Sequence, residues 1–437
     1  MKGNYLCKLW GITAFGESHG PAIGVVIEDI KPGIDFPHKE IQKELDRRKP
    51  GKGRISSSRK ETDQLVVLSG VFEGKTTGMP ICMLVYNRDS RSEDYEAVKD
   101  IFRPGHADLA LYKKFKIYDY RGGGRVSGRE TIARVAAGAL VDQMIKPAKI
   151  LVYPFSIGKI AAVSFDRDFI RNNELSWPCP ATYKQLLSSL EEIREKGDSV
   201  GSIVQVLIEN VPGGLGDPVF EKLDANLSKA ILSIGGVKGI EFGAGFDLGK
   251  MLGSEANDPL LSLTPSTEPG KAGGIYGGMT TGDPVSFRFV VKPTPSISLP
   301  QQTITRHGKQ ETLNLNGRFD LCLIPRIIPV AEAMIKLVLA DAISYRNLLK
   351  NALPELGELR EALDKIDEDI LLSLYRRNKI VEQVAALKKQ KGIAVKQPDR
   401  EAEIFRQLED KGNKLELDSK MLKRIWQIIL EFSRDKQ

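Results

Sequence analysis

Cysteine is scarce in this chain. Only Cys7, Cys82, Cys179 and Cys322 occur in 437 residues, far apart and with no CxxC spacing. That usage argues against a disulfide framework and a metal site, and predicts buried thiols in a reducing compartment. Apolar runs are broken by glycine or charge well short of the ~18–20 residues that span a bilayer. The first residues, Met1-Lys2-Gly3-Asn4-Tyr5-Leu6-Cys7-Lys8, hold no sustained apolar stretch and no small-residue cleavage site, which speaks against a secretory signal. A soluble cytoplasmic protein is expected. No glycine fingerprint follows a strand in a βαβ unit, so a Rossmann domain is not expected.

What is present is ordinary globular composition, 41% hydrophobic and 28% charged, which argues against extensive disorder. A chain of 437 residues exceeds what one core usually supports, so two or three domains are expected. The net charge of +7, from 64 basic and 57 acidic residues, is small and mixed along the chain. It favours anionic small molecules over nucleic acid, because several arginines sit beside glycines where backbone and guanidinium can reach one ligand together.

Composition changes near residue 350. The first part holds nearly all of the 41 glycines and most of the 23 prolines. Runs such as Gly24–Ile27 and Ser202–Ile208 read as strands, and helical patterns fall at 39–48, 131–145, 183–196, 223–234 and 329–346. The expected class is α+β, with helices packed on antiparallel sheets. From Glu355 onward the chain is glycine-poor. Leu359, Leu363, Ile366, Ile370, Leu374, Val381 and Val384 mark one helix face running to about Lys391, where Gly392 stops it. Pro398 opens a second helix to Lys411, with Gly412 as its stop, and Asp418 caps a third carrying Met421 to Phe432. The first helix is too long for the other two to cover, so this all-α unit is expected to self-associate.

Two of the four histidines lie in polar, glycine-flanked segments: Gly16-Glu17-Ser18-His19-Gly20 and Arg103-Pro104-Gly105-His106-Ala107-Asp108. Close backbone approach and positive charge suit a phosphate or carboxylate there, and an imidazole can move a proton near neutral pH. In Arg121-Gly122-Gly123-Gly124-Arg125-Val126-Ser127-Gly128-Arg129-Glu130, Ser127 and Glu130 have capping-box spacing. A helix start preceded by glycines and flanked by Arg125 and Arg129 is an anion site.

GESHGPAIGVVIED, the Asp46-Arg47-Arg48 to Arg54 segment, RPGHAD, RGGGRVSGRETIARVAAGA, Lys292-Pro293-Thr294-Pro295-Ser296-Ile297 and Gly317-Arg318-Phe319-Asp320 resemble chorismate synthase, in order, over about 345 residues. The resemblance implies that family's β-α-β sandwich and the anti-1,4 elimination of phosphate from 5-enolpyruvylshikimate 3-phosphate, with reduced FMN. By residue, it implies that His19 protonates the departing phosphate and His106 the reduced flavin. Asp320 would help flavin N5 accept the substrate's C6 proton. Ser18, Arg48, Arg54, Arg103, Arg129 and Arg318 match substrate positions, and Arg48 and Arg54 also match positions linked to NADP. FMN contacts map to Arg125, Val126, Ser127, Gly235, Gly236, Gly277, Lys292, Pro293, Thr294, Pro295, Ser296 and Arg318. The resemblance further implies a homo-tetramer, an external flavin reductase, and NADPH at most as an indirect reductant. Three positions depart from the family: Val126 for Ser, Phe319 for His and Leu321 for Pro. The last two are expected to make the surroundings of Asp320 more apolar.

Residues 355–437 resemble the all-helical chorismate mutase. Arg360, Arg377, Lys388, Arg400, Glu401, Ser433 and Gln437 fall on its ligand positions, with Gln397 where some members have Asp. Lys388 and Gln437 would meet the ether oxygen of chorismate. Domains are therefore expected at 1–348 and 355–437, joined by a linker at 349–354, in a bifunctional enzyme that makes chorismate and rearranges it to prephenate. Two alternatives remain. The tail could be a dimerisation or feedback-binding module without mutase activity, or the first part a flavin or nucleotide oxidoreductase. Related mutases pair their long helices antiparallel, which would bring Arg360 across a dimer interface.

Overall fold

The computed structural model describes all residues except 1–2, 50–60, 89–98, 118, 316, 318, 353–355, 416 and 436–437. The described residues form two compact units, 1–349 and 350–437.

The first unit is built on two five-stranded antiparallel sheets. One contains β1 (Tyr5–Leu6), β2 (Ile12–Gly16), β3 (Ala22–Ile27), β4 (Val66–Ser69) and β7 (Ile81–Tyr86), in the order β1-β2-β3-β7-β4. A small hairpin, β5 (Val71–Phe72) and β6 (Lys75–Thr76), precedes β7. The other contains β8 (Lys149–Ile157), β9 (Ile160–Ala161), β10 (Ser202–Glu209), β11 (Val237–Phe242) and β14 (Val285–Val291), in the order β11-β14-β10-β8-β9. Two further hairpins are β12 (Ile275–Tyr276) with β13 (Met279–Thr280), and β15 (Gln301–Ile304) with β16 (Gln310–Leu313). Alternation sets which face is covered. Val204, Val206 and Ile208 on β10, and Val285, Phe287, Phe289 and Val291 on β14, are all buried.

Helices α1 (His38–Arg48), α2 (Asp108–Phe115), α3 (Thr131–Leu140), α4 (Arg167–Arg171), α5 (Pro180–Glu195), α6 (Leu223–Leu232), α7 (Gly253–Ala256) and α8 (Ile324–Ala352) complete this unit. Nine of the ten α3 residues are buried, and from Ile327 to Ala340 α8 is buried around most of its circumference. Helices apolar on every side belong to a central layer. α3 packs on the first sheet and crosses α8 at Gly138, and the buried side chains of both sheets and both helices form one continuous core. This is the expected α+β sandwich. Details differ from expectation: α8 begins at Ile324, five residues before Pro329, and only Cys179 and Cys322 are fully buried while Cys7 and Cys82 are half-buried.

The second unit comprises α9 (Leu356–Lys391), α10 (Pro398–Lys414) and α11 (Ser419–Asp435). Gly392 stops α9 with φ +65°, and the Asp418 carboxylate accepts the Met421 N–H at 2.6 Å as the cap of α11. Gly412 does not stop α10, which continues to Lys414. A Cβ at Gly412 would meet Leu422 Cδ1, so glycine serves there to let α11 approach.

The α3–α8 crossing gives a direct test. A Cβ at Gly138 would lie 2.6 Å from Cα and Cβ of Ala333, with backbone on the far side. Gly138→Ala should destabilise the first unit by about 1–3 kcal/mol through overpacking, read as a lower denaturation midpoint of that unit's transition. An unchanged midpoint would show that the helices can separate freely.

Candidate active sites

In the first unit, a cavity of about 760 Å³ opens between the start of α3, the turn before β11, the segment after β14 and the start of α8. That is room for a cofactor-sized ligand. His106, Arg125, Val126, Ser127, Gly235 and Gly236 line it. So do Lys292, Pro293, Thr294, Pro295 and Asp320. These residues come from five separate stretches of sequence.

The glycine loop organises this convergence. Gly122, Gly123 and Gly124 all have positive φ (57°, 84° and 52°), a conformation only glycine adopts cheaply three times in a row. A Cβ on Gly122 would lie 2.6 Å from the His19 ring and from Ser18 Oγ, and one on Gly123 would lie 3.0 Å from His106 Cε1. The loop therefore rests against both histidines. Asp119, beneath it, receives Arg121 Nε at 2.8 Å and Nη2 at 3.0 Å. The capping box does not form as its spacing suggests. Ser127 Oγ accepts from the Arg129 N–H at 3.4 Å, while the Glu130 carboxylate turns to Arg134 at 3.0 Å.

Behind the loop lies a buried ionic network. The fully buried Arg48 donates from Nη2 to Asp63 Oδ2, and Arg129 donates from Nη1 to the other oxygen at 3.0 Å. Arg129 Nε also donates to Asn87 Oδ1 at 2.5 Å, and its Nη2 lies 3.5 Å from Glu61. Burial alone would raise the Asp63 carboxyl, but the two guanidiniums outweigh it and hold it below the usual carboxylate range. Burial lowers Arg48 to about 10. Its Nε and Nη1 are buried without a hydrogen-bond partner among the described residues, as are Ser18 Oγ, Arg125 Nη1 and Thr294 Oγ1.

Other expected residues stand elsewhere. Arg103 turns its guanidinium to Asp108, with contacts at 2.7 and 2.8 Å. Gly277 is exposed in the β12–β13 turn, where its positive φ (59°) is needed, and it does not line the cavity; nor does Ser296. Arg54, Arg318 and Gln437 lie outside the described residues. Asp320 meets a cation, contrary to its expected apolar surroundings: Arg326 Nη1 donates to Oδ2 at 2.6 Å. The Phe319 ring packs towards Gly317, and Leu321 is buried, its carbonyl accepting from the Val200 N–H at 3.0 Å. Burial first, then Lys238, lowers the Lys292 ammonium; Lys292 Nζ donates to the Gly105 carbonyl at 2.5 Å. Sequence reasoning passed over Asp63, Asp108 and Arg326. The last two sit within motifs already singled out or six residues beyond, but Asp63 stands in an undistinguished stretch.

In the second unit, Arg377 donates to Ser433 Oγ at 2.5 Å, tying α9 to α11. Glu401 lies 3.8 Å from Arg434. Lys388 Nζ donates to the Val395 carbonyl at 2.8 Å, and the Gln397 carbonyl accepts from the Glu401 N–H at 3.1 Å. Arg400 pairs with Glu403 on its own helix, and Arg360 is exposed on α9.

Fold and cavity define an α+β enzyme with a ligand-sized space lined by His106, Arg125, Lys292 and Arg326. A chorismate synthase family model matches residues 10–344, and the chain belongs to that family. A chorismate mutase type II model matches residues 359–437, so both domains of a bifunctional shikimate-pathway enzyme are present. Chorismate synthase of Syntrophus aciditrophicus (strain SB) is 47% identical over 348 residues, covering 78% of this chain and 97% of that protein. The synthase of Methanosarcina mazei is 46% identical over 352 residues, with 78% and 96% covered. A crystal structure of chorismate synthase aligns with TM-score 0.58 at 27% identity, over 83% of this chain and 98% of that one. No helix is long and apolar enough to cross a membrane, and no cluster of potential metal ligands occurs, among the described residues.

The buried network predicts an acid response. The unfolded Asp63 carboxyl titrates near ~3.9 and the folded one lower, so the unfolded chain binds more protons in that window and stability rises with pH there. The contribution is complete above about pH 5 and lost as pH falls. Asp63→Asn, which leaves Arg48 buried beside a neutral group, should cost about 3–5 kcal/mol at pH 7. It should also flatten the loss of stability between about pH 5 and 3, measured by denaturant titration of the first unit. Parallel curves for the two proteins would refute the assignment.

Proposed function

We propose that the first unit eliminates phosphate from 5-enolpyruvylshikimate 3-phosphate to give chorismate with reduced FMN, and that the second rearranges chorismate to prephenate. Two observations support the synthase site: Arg48 keeps two buried donors without a partner among the described residues, and Gly122 rests against the Ser18–His19 pair. A substrate bearing a phosphate and two carboxylates needs fixed cations of this kind. The cavity residues fit FMN. Arg125 Nη1 and Thr294 Oγ1 are buried donors in want of an acceptor, and a Cβ on Gly235 would meet open space. Arg125, Val126, Ser127, Gly235, Gly236 and the Lys292–Pro295 segment would hold the flavin, which when bound supplies electron density that weakens the allylic C–O bond.

Around it the chain's own groups divide the proton work. His19 gives its proton to the departing phosphate. His106 holds a proton at the edge of the cavity, and Asp320, gripped by Arg326, assists removal of the C6 proton. NADPH serves only as an indirect reductant, through an external flavin reductase, for an enzyme working in the cytoplasm. His106→Ala should cut phosphate release with anaerobically supplied reduced FMN by at least about 100-fold and leave mutase activity on added chorismate intact. Unchanged phosphate release would remove His106 from the mechanism.

In the second unit Lys388 exchanges its Val395 carbonyl contact for the ether oxygen of chorismate, whose charge grows as the C–O bond breaks, and Gln437 assists. Arg377 and Ser433 hold a carboxylate and orient the compact conformer. This half works as a dimer, within a larger homo-oligomer assembled through the synthase units. On α9, Leu359, Leu363, Ile366 and Ile370 are exposed together. Arg360 lies 17 residues before Arg377, ~25 Å along the axis, beyond the reach of one small diacid. An antiparallel partner helix would cover the apolar face and supply its Arg360. Inactive Arg360→Ala and Lys388→Ala chains, mixed under subunit exchange, should recover about a quarter of wild-type mutase activity when half the dimers are hybrid. No recovery despite proven exchange would place both residues in one chain's site.

A further inference from the structure

We propose that Asp108, clamped by Arg103, is a positioning residue that fixes His106 in one tautomer, with Nδ1–H turned inward and Nε2 presented to the cavity. This rests on the synthase reading only for what His106 then does. Asp108 Oδ1 lies 2.9 Å from His106 Nδ1. Arg103 grips the same carboxylate through Nε to Oδ2 at 2.7 Å and Nη2 to Oδ1 at 2.8 Å, and its backbone N–H reaches Oδ2 at 3.2 Å.

Two arrangements compete at Nδ1. Arg103 Nη2 stands 3.2 Å away and would suit a bare nitrogen; the carboxylate suits only a protonated one. The carboxylate prevails because it is closer and almost wholly buried, and because Nη2 already donates to Oδ1. Burial opposes its charge, but the hydrogen bonds from His106 and Arg103 hold the Asp108 carboxyl well below the usual range. An ionised carboxylate is an acceptor only, so the proton sits on Nδ1.

The other edge of the ring is kept clear. A Cβ at Gly123 would stand 3.5 Å from Nε2, and glycine leaves that side open to the cavity that His106 lines. Lys292 Nζ, bonded to the Gly105 carbonyl, steadies the turn that carries the ring. Arg103, with a side chain only 9% exposed and its Nε and Nη2 committed to Asp108, orients the imidazole and is not itself a substrate contact.

The test uses full-length protein labelled with 15N-histidine, a tractable spectrum with four histidines. Two-bond 1H–15N correlations of the neutral side chains report which nitrogen carries the proton, and His106→Gln identifies the His106 signals. Wild type should show the Nδ1–H pattern, and Asp108→Ala should move it toward Nε2–H. Should that variant fail to fold, the isosteric Asp108→Asn replaces it in a cycle with His106→Ala. Asp108→Asn should lower kcat for phosphate release about 10–100-fold with little change in KM, and should have no further effect once His106 is absent. Arg103→Lys should likewise lower kcat and spare KM. An Nε2–H pattern in wild type, or an Nδ1–H pattern surviving Asp108→Ala, would overturn the proposal. So would a raised KM at unchanged kcat in Arg103→Lys. A wild-type chain with the Nδ1–H pattern and no phosphate release would instead sink the synthase reading and leave the positioning pair supported.

Discussion

The Arg48 guanidinium is fully buried and shares the Asp63 carboxylate with Arg129, so one ion cluster joins α1, the segment before β4 and the approach to α3. Taking these charges out of water costs several kcal/mol per ion and is recovered only where the geometry is good. The cluster therefore constrains three separate stretches of chain at once. Two Arg48 donors remain unused among the described residues. A cation held in that state, by a carboxylate that stays ionised beside it, is fixed in place with hydrogen-bonding capacity in reserve.

The glycine loop depends on that constraint. Its three left-handed residues cost more backbone entropy than any others would, and the return is contact: the backbone lies against Ser18, His19 and His106 at distances no side chain would permit. Arg129, a few residues beyond, anchors the far end of the loop in the ion cluster. The loop thereby links both histidines to the cavity that His106 and Arg125 line.

Much of this was legible in the sequence, for reasons that differ by element. β3, β10 and α1 followed from alternation and helical spacing, because one face of each is buried and periodicity records burial. Helix ends were less legible. Gly412 reads as a stop but is a packing glycine beneath Leu422 of the next helix, and Pro329 reads as a start but lies inside α8. Among site residues, glycine-flanked histidines and arginines were visible because their chemistry is local. Asp63 was not, since a single carboxylate gains its meaning only from the two arginines that fold onto it. The surroundings of Arg103 and Asp320 were illegible for the same reason, each being set by its partner, Asp108 and Arg326.

The two units hold charge in opposite ways, and this bears on how each can work. The synthase unit buries the Arg48 and Arg129 guanidiniums and pairs them away from water, where electrostatic contacts are strongest. In the mutase unit Arg360 and Arg400 are exposed and Lys388 is half-buried, and exposed pairs such as Arg400–Glu403 contribute about 0–1 kcal/mol. Stabilising charge on an ether oxygen asks for a drier site than that. Within this unit the buried apolar side chains are few, with Val381, Leu422 and Leu430 at 8–9% exposure, while Leu359, Leu363, Ile366 and Ile370 are left in water. Covering that face would remove water from the length of α9 and raise the worth of every cation along it. Folding and catalysis in the mutase half then share one requirement, whereas the synthase half meets the corresponding requirement inside its own core.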